Sequence, residues 1–121
     1  MTTMNRIANC HNKFQGDRKK VLCVCSAGLL RSPTAAVVLA SKFGYNTRAV
    51  GLAKEYALIP LDEVLIEWAD EVVVMEPWMF HELETKQCKH LICLNIPDIY
   101  EYMDEELQAL IFMNYTGSKN G

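Results

Sequence analysis

Val21-Leu22-Cys23-Val24-Cys25-Ser26-Ala27-Gly28-Leu29-Leu30-Arg31-Ser32-Pro33-Thr34 decides how this chain is read. The stretch opens on an unbroken apolar run, the pattern of a parallel strand covered on both faces. With Lys20 in front, it predicts a strand over Lys20–Cys25. The stretch closes on Ser32-Pro33, a capping residue followed by a residue suited to the first helical position. A helix is therefore expected over Pro33–Phe43, with Ser32 as N-cap and Gly44 as its stop. Ala35, Val38, Leu39 and Phe43 form its apolar stripe. Between strand and helix lie a thiol, a small-residue loop and a guanidinium.

Outward from this stretch, strands are expected at Thr47–Leu52, Glu71–Met75 and His90–Leu94. Helices are expected at Leu61–Trp68, from Pro77 to about Thr85, and at Asp104–Met113. Strands alternating with helices imply an α/β fold, a three-layer α/β/α sandwich on a four-stranded parallel sheet. The whole chain, 1–121, reads as one domain, with 1–17 and 117–121 as flexible ends. The cysteine falls at the C-terminal end of the first strand, where such sheets bind ligands.

The spacing has a chemical meaning. Five residues separate Cys25 from Arg31, enough for their N–H groups to wrap one tetrahedral oxyanion. The helix behind them adds free N–H groups and the positive end of its dipole. Ser26, Ala27, Gly28, Leu29, Leu30, Arg31 and Ser32 are thus the candidate phosphate cradle. Gly28 suits the positive φ that a nest of inward amides needs. A cation and a helix N-terminus favour thiolate at Cys25, and the Ser32 hydroxyl is a possible donor to its sulfur. Arg31 offers a planar fork for two phosphate oxygens. Cys25 is the candidate nucleophile and Arg31 the group that holds the oxygens during transfer.

Composition sets limits. The 121 residues are half hydrophobic and 22% charged, with a net charge of −3. That balance argues against broad nucleic-acid binding. No apolar stretch is long enough to span a membrane and no secretion signal is visible, so a cytoplasmic protein is expected. The odd count of five cysteines, Cys10, Cys23, Cys25, Cys88 and Cys93, suggests reduced thiols. Arg18-Lys19-Lys20 reads as a solvated lead-in to the first strand. His81 and His90 read as surface or hydrogen-bonded residues, and Cys23 as core.

The Cys25-to-Ser32 segment, followed by Pro33, resembles the signature loop of the low-molecular-weight protein tyrosine phosphatases, Cys-x5-Arg-Ser/Thr. Weaker similarity continues through Ala49-Val50-Gly51 and through Trp68-Ala69-Asp70 into Val72-Val73-Val74-Met75. Ile96-Pro97-Asp98 resembles a segment of a short branch known as predicted protein tyrosine phosphatases. The resemblance implies hydrolysis of phosphotyrosine or a small aryl phosphate through a thiophosphate on Cys25. It implies no metal or other cofactor, and a protein that is a monomer or weak dimer. Gly28 stands where better-known members carry asparagine, so a looser loop and a lower rate are expected. Leu30 replaces a second cysteine found in some relatives.

The family also implies a general acid, an aspartate late in the chain in an Asp-Pro context. Here the order is Pro97-Asp98. Asp98 sits on a loop with no capping role and is the candidate acid. Asp104 is its competitor, although its position suggests an N-cap. Asp62 suits the first turn of a helix and Asp70 a structural role. Tyr100 and Tyr102 share the loop of Asp98 and are candidate walls of the substrate slot; Trp78 is a weaker one. Two other functions stay open. One is arsenate reduction by Cys25 with Cys88 and Cys93, although Cys93 falls where a buried inert thiol is expected. The other is a catalytically weak phosphate-binding module.

Overall fold

The computed structural model of the protein describes residues 18–26, 31–52, 61–84 and 88–120. The expectations for the 1–17 extension and for Ala27, Gly28, Leu29 and Leu30 lie outside the described residues. Strand β1 is Lys20–Cys25, helix α1 Arg31–Phe43 and strand β2 Asn46–Gly51. Helix α2 is Glu63–Trp68, β3 Glu71–Val74, α3 Pro77–Glu84, β4 Leu91–Cys93 and α4 Glu105–Asn120.

The sheet order is β2-β1-β3-β4, with every pair parallel. From β1 the chain steps outward to β2, then crosses back to β3 and on to β4. Right-handed crossovers must then place α1 on one face and α2 and α3 on the other. Side-chain contacts agree. Thr47 Oγ1 donates to the Ala36 carbonyl of α1 at 2.9 Å. Its neighbour Arg48 faces the opposite way and lies 4.9 Å from the Trp68 ring centre of α2. Helix α4 returns to the α1 face, where Phe112 stacks on Phe43 of α1. The reversal of winding falls between β1 and β3, which opens a crevice at their C-terminal ends.

Val21, Leu22, Cys23 and Val24 are wholly buried, as are Val73 and Val74 of β3. This is why both strands read as continuous apolar runs. Gly44 ends α1 with φ 72°, and its N–H bonds to the Ala40 carbonyl at 2.9 Å. That left-handed turn suits glycine.

Several boundaries differ from expectation; β2 is Asn46–Gly51, not Thr47–Leu52, and β3 ends at Val74, not Met75. Helix α1 begins at Arg31, so Ser32 lies inside it and is not its N-cap. Helix α2 begins at Glu63, and Asp62 caps it by accepting from Leu65 N at 3.1 Å. Strand β4 is shorter, Leu91–Cys93. Helix α4 runs to Asn120 and does not stop at Met113, because Leu107, Ile111 and Tyr115 bury one face at four-residue spacing. No helix is long and apolar enough to cross a membrane among the described residues.

Lys19 also departs from the solvated role expected of it. At the N-terminal end of β3, Glu71 is fully buried. One of its oxygens lies 3.1 Å from Lys19 Nζ and 2.9 Å from His90 Nδ1. The other accepts from the Tyr115 hydroxyl at 2.6 Å. Desolvation first, then the Glu71 carboxylate, pushes the Tyr115 phenol far above its ordinary value. Folding therefore holds the phenol protonated after the unfolded chain has begun to lose that proton. The stability this contributes is complete below about pH 10 and is lost as pH rises beyond it. Tyr115→Phe should lower stability by about 1.5–3 kcal/mol at neutral pH, read from the urea midpoint. The same variant should lose less stability than the parent as pH rises from about 10 to about 11.

Candidate active site

The last residue of β1, Cys25, is almost fully buried. Its Sγ lies 3.2 Å from Ser32 Oγ, and Ser32 Oγ also lies 3.2 Å from the Val50 carbonyl of β2. The hydroxyl has one proton for two acceptors. With Cys25 as a thiol, S–H donates to Ser32 and the hydroxyl donates to Val50. With Cys25 as a thiolate, the hydroxyl proton turns to the sulfur. Ser32 thus left the capping role suggested by its sequence position for one beside the thiol.

Arg31 is the largest fully buried side chain, at 1% exposure. Its Nη1 donates to Glu76 Oε2 at 2.8 Å and to the Ile96 carbonyl at 2.7 Å. Glu76 follows β3 by two residues. Ile96 is brought in because the chain beyond β4 stays clipped to β3, Leu94 N on the Val74 carbonyl at 2.9 Å and Ile96 N on the Met75 carbonyl at 2.7 Å. Asn95, between them, adopts a left-handed φ of 57°.

The other edge of the guanidinium is different. Nε and Nη2 are buried and make no hydrogen bond among the described residues. Asp98 Oδ1 lies 3.5 Å from Nε, an ion pair without a formed hydrogen bond. Leaving a buried donor unmet costs about 1–3 kcal/mol. The Nε–Nη2 edge carries two parallel N–H groups, the shape that fits two oxygens of one oxyanion.

Asp98 and Asp104 are told apart by their partners. Asp104 Oδ1 accepts from Glu106 N at 2.8 Å and Leu107 N at 3.3 Å, which makes it the N-cap of α4. Asp70 Oδ2 accepts from Lys20 N at 3.0 Å and ties the start of β1 to β3. Asp98 is half exposed and faces the guanidinium. Tyr100 and Tyr102 follow it in the same loop, Tyr100 half-buried and Tyr102 exposed. Ser26, half-buried, is the first residue past β1. Trp78 stands exposed near the start of α3, two residues beyond Glu76.

Cys93 departs from the buried thiol expected of it. It is half-buried and donates to Asn95 Oδ1 at 3.5 Å. Cys88, ahead of β4, donates to the Leu83 carbonyl at 3.8 Å. Desolvation raises both thiols above their ordinary value; at Cys93 the backbone N–H of Asn95 opposes this and Glu76 adds to it. His81 and His90 are both exposed, on Glu84 and Glu71 respectively.

Glu76 was not singled out by the sequence. A glutamate just past an apolar strand carries no local signal, since its partner Arg31 lies 45 residues away.

No protein-family model matches the chain, and no curated protein sequence does. Solved structures do. Vibrio vulnificus Wzb in complex with benzylphosphonate superposes with a TM-score of 0.65 at 19% identity, covering 85% of this chain and 99% of that one. The tyrosine phosphatase Wzb from Escherichia coli K30, in complex with phosphate, gives 0.63 at 16% identity, covering 85% and 95%. The chain has the low-molecular-weight tyrosine phosphatase fold. A thioredoxin-dependent arsenate reductase from Corynebacterium glutamicum shares it, with a TM-score of 0.55 at 17% identity over 97% of this chain and 68% of that one. At these identities the likeness speaks for the fold alone.

The open edge of Arg31 leads to a binding prediction that needs no assumption about turnover. Inorganic phosphate should raise the thermal midpoint, by the equivalent of about 2.7 kcal/mol at a hundred times its dissociation constant. Arg31→Met should abolish that rise. A phosphate-induced shift of equal size in a folded Arg31→Met protein would show that the anion binds elsewhere.

Proposed function

We propose that the protein is a metal-independent cysteine phosphatase that hydrolyses phosphotyrosine, or small aryl phosphates, through a thiophosphate on Cys25. The observation that carries this reading is the buried Arg31: Nη1 is fixed by Glu76 and Ile96, the Nε–Nη2 edge makes no hydrogen bond and is faced by Asp98, and the next residue, Ser32, bonds to the Cys25 thiol. A thiol alone, or a buried arginine alone, has a bland explanation. A fixed guanidinium with two donors that make no hydrogen bond, one residue along the helix from the hydroxyl that bonds the thiol, fits a phosphate and its attacking sulfur.

In this reading Arg31 binds two phosphate oxygens, assisted by N–H groups of residues 26–32. Cys25 Sγ attacks phosphorus as thiolate, forming the S–P bond as the P–O bond to the aryl group breaks. The leaving phenolate has a conjugate acid of pKa about 10 and needs a proton. Asp98 supplies it to the phenolic oxygen. Water then attacks phosphorus, gives a proton to the Asp98 carboxylate, and displaces the Cys25 thiolate. Ser32 steadies the thiolate in both steps by turning its hydroxyl from Val50. Tyr100 and Tyr102 lie on the Asp98 loop, placed to wall the aryl ring.

The arsenate alternative gains no comparable support. Its extra thiols, Cys88 and Cys93, each bond to a different acceptor and have their pKa raised. Both features favour the unreactive protonated form.

Two measurements test the proposal. Hydrolysis of para-nitrophenyl phosphate should persist in EDTA and vanish in Cys25→Ser; turnover equal in both proteins would reject the cysteine mechanism. Asp98→Ala should slow hydrolysis of phenyl phosphate by about 10²–10⁴-fold, and of esters with good leaving groups far less. Asp104→Ala should instead cost about 1 kcal/mol of stability through the lost cap and leave the leaving-group dependence intact. Equal losses for poor and good leaving groups in Asp98→Ala would remove Asp98 from the acid role.

A further inference from the structure

A hollow of about 240 Å³ opens at the C-terminal end of β4, lined by Pro77, Phe80 and His81 of α3 with Cys93 and Asn95. Its lining is almost wholly apolar. The three α3 residues lie on one helix face by their spacing. Two of its lining residues are chain neighbours of the groups that fix Arg31. Pro77 directly follows Glu76, and Asn95 directly precedes Ile96, the two groups that fix Arg31 Nη1. The left-handed turn at Asn95 serves both sides: the Ile96 carbonyl reaches Arg31, and the Asn95 side chain holds the Cys93 thiol in the lining.

We propose that this hollow is a specificity subsite that takes one apolar side chain, such as leucine, from a phosphotyrosine peptide bound at Arg31. The inference rests on the phosphatase reading and names its substrate class. Size argues for a single side chain, since sites for whole small molecules run from about 300 Å³ upward. Position argues for the same peptide. The ends of β1 and β4 are two strand spacings apart, about 10 Å, which an extended chain covers in about three residues. The occupant is therefore a near neighbour of the phosphotyrosine. Charge decides the side. On the Asp98 flank, Glu101, Glu105 and Glu106 are exposed and acidic, a poor surface for an apolar group. The β4 flank offers the apolar lining.

A contact made equally in the ground state and the transition state lowers KM and leaves kcat alone, so binding is the direct readout. The test uses Cys25→Ser and fluorescent phosphotyrosine peptides carrying leucine or serine at each nearby position in turn. At one position the leucine peptide should bind about ten-fold tighter. His81→Trp and Cys93→Phe, each built on Cys25→Ser, should bring that ratio close to one. His81→Trp alters an exposed rim residue, so it keeps the test decisive if Cys93→Phe fails to fold by circular dichroism. Absence of discrimination at every position, or discrimination that survives in folded His81→Trp and Cys93→Phe, overturns the subsite. The two proposals fail separately. Lack of para-nitrophenyl phosphate turnover with intact leucine selection rejects the phosphatase reading alone. Turnover without leucine selection rejects the subsite alone.

Discussion

The buried guanidinium of Arg31 is the constraint on which the candidate site depends. A charge taken out of water is tolerated only when paired, and breaking such a pair is costly. Here the hydrogen bonds are confined to Nη1, which donates to Glu76 and to the Ile96 carbonyl, while Asp98 faces Nε as an ion pair at 3.5 Å. Those two anchors come from the segments after β3 and after β4, so three separate parts of the chain meet at one nitrogen. Any change that loosens the end of β3 or the turn at Asn95 also frees the arginine. The fixed edge orients the free one. A guanidinium held by a single nitrogen but boxed in by its burial presents Nε and Nη2 in a set direction, and no side-chain reorganisation is needed when an oxyanion arrives.

Sheet topology explains why these segments meet. The strand order reverses winding at β1, which sends α1 to one face and α2 and α3 to the other. The switch in winding opens a crevice beyond the C-terminal ends of β1 and β3. Cys25 approaches from β1, Glu76 from β3, and Ile96 and Asp98 from beyond β4. The fold supplies proximity, and the local sequence supplies chemistry.

Much of this was legible in the chain itself. The apolar runs of β1 and β3 announced strands buried on both faces, and the alternation of strands and helices gave the layer order. The spacing of Cys25 and Arg31 named the two central side chains, since both lie on one short strand–loop–helix segment. Asp98 was separable from Asp104 because an N-cap has a local signature, and the structure finds Asp104 capping α4. What escaped were long-range pairings. Glu76 has no distinguishing neighbours in sequence, and Lys19 read as one of three basic residues facing water. Ser32 was misplaced for a related reason: a serine before a proline suits an N-cap, but the thiol and the Val50 carbonyl compete for the same hydroxyl and win. The full length of α4 was missed because the residues after Met113 are mostly polar, whereas Tyr115 among them is fully buried and anchors the helix.

The two ends of the sheet show how a buried charge can serve different purposes. At the N-terminal end Glu71 is fully buried, and Lys19, His90 and Tyr115 all engage its oxygens. Its acceptor capacity is met from β1, from the start of β4 and from α4, so it fastens the layers together. At the C-terminal end Arg31 is equally buried but only half met. A sequence free to optimise stability would complete that network, as it did around Glu71, or replace the ion by an apolar side chain. Keeping Nε and Nη2 unmet lowers the stability of the empty protein, and a bound oxyanion returns it. The asymmetry between these two ions, and not burial or charge in itself, is what separates the structural end of this sheet from the one that points to chemistry.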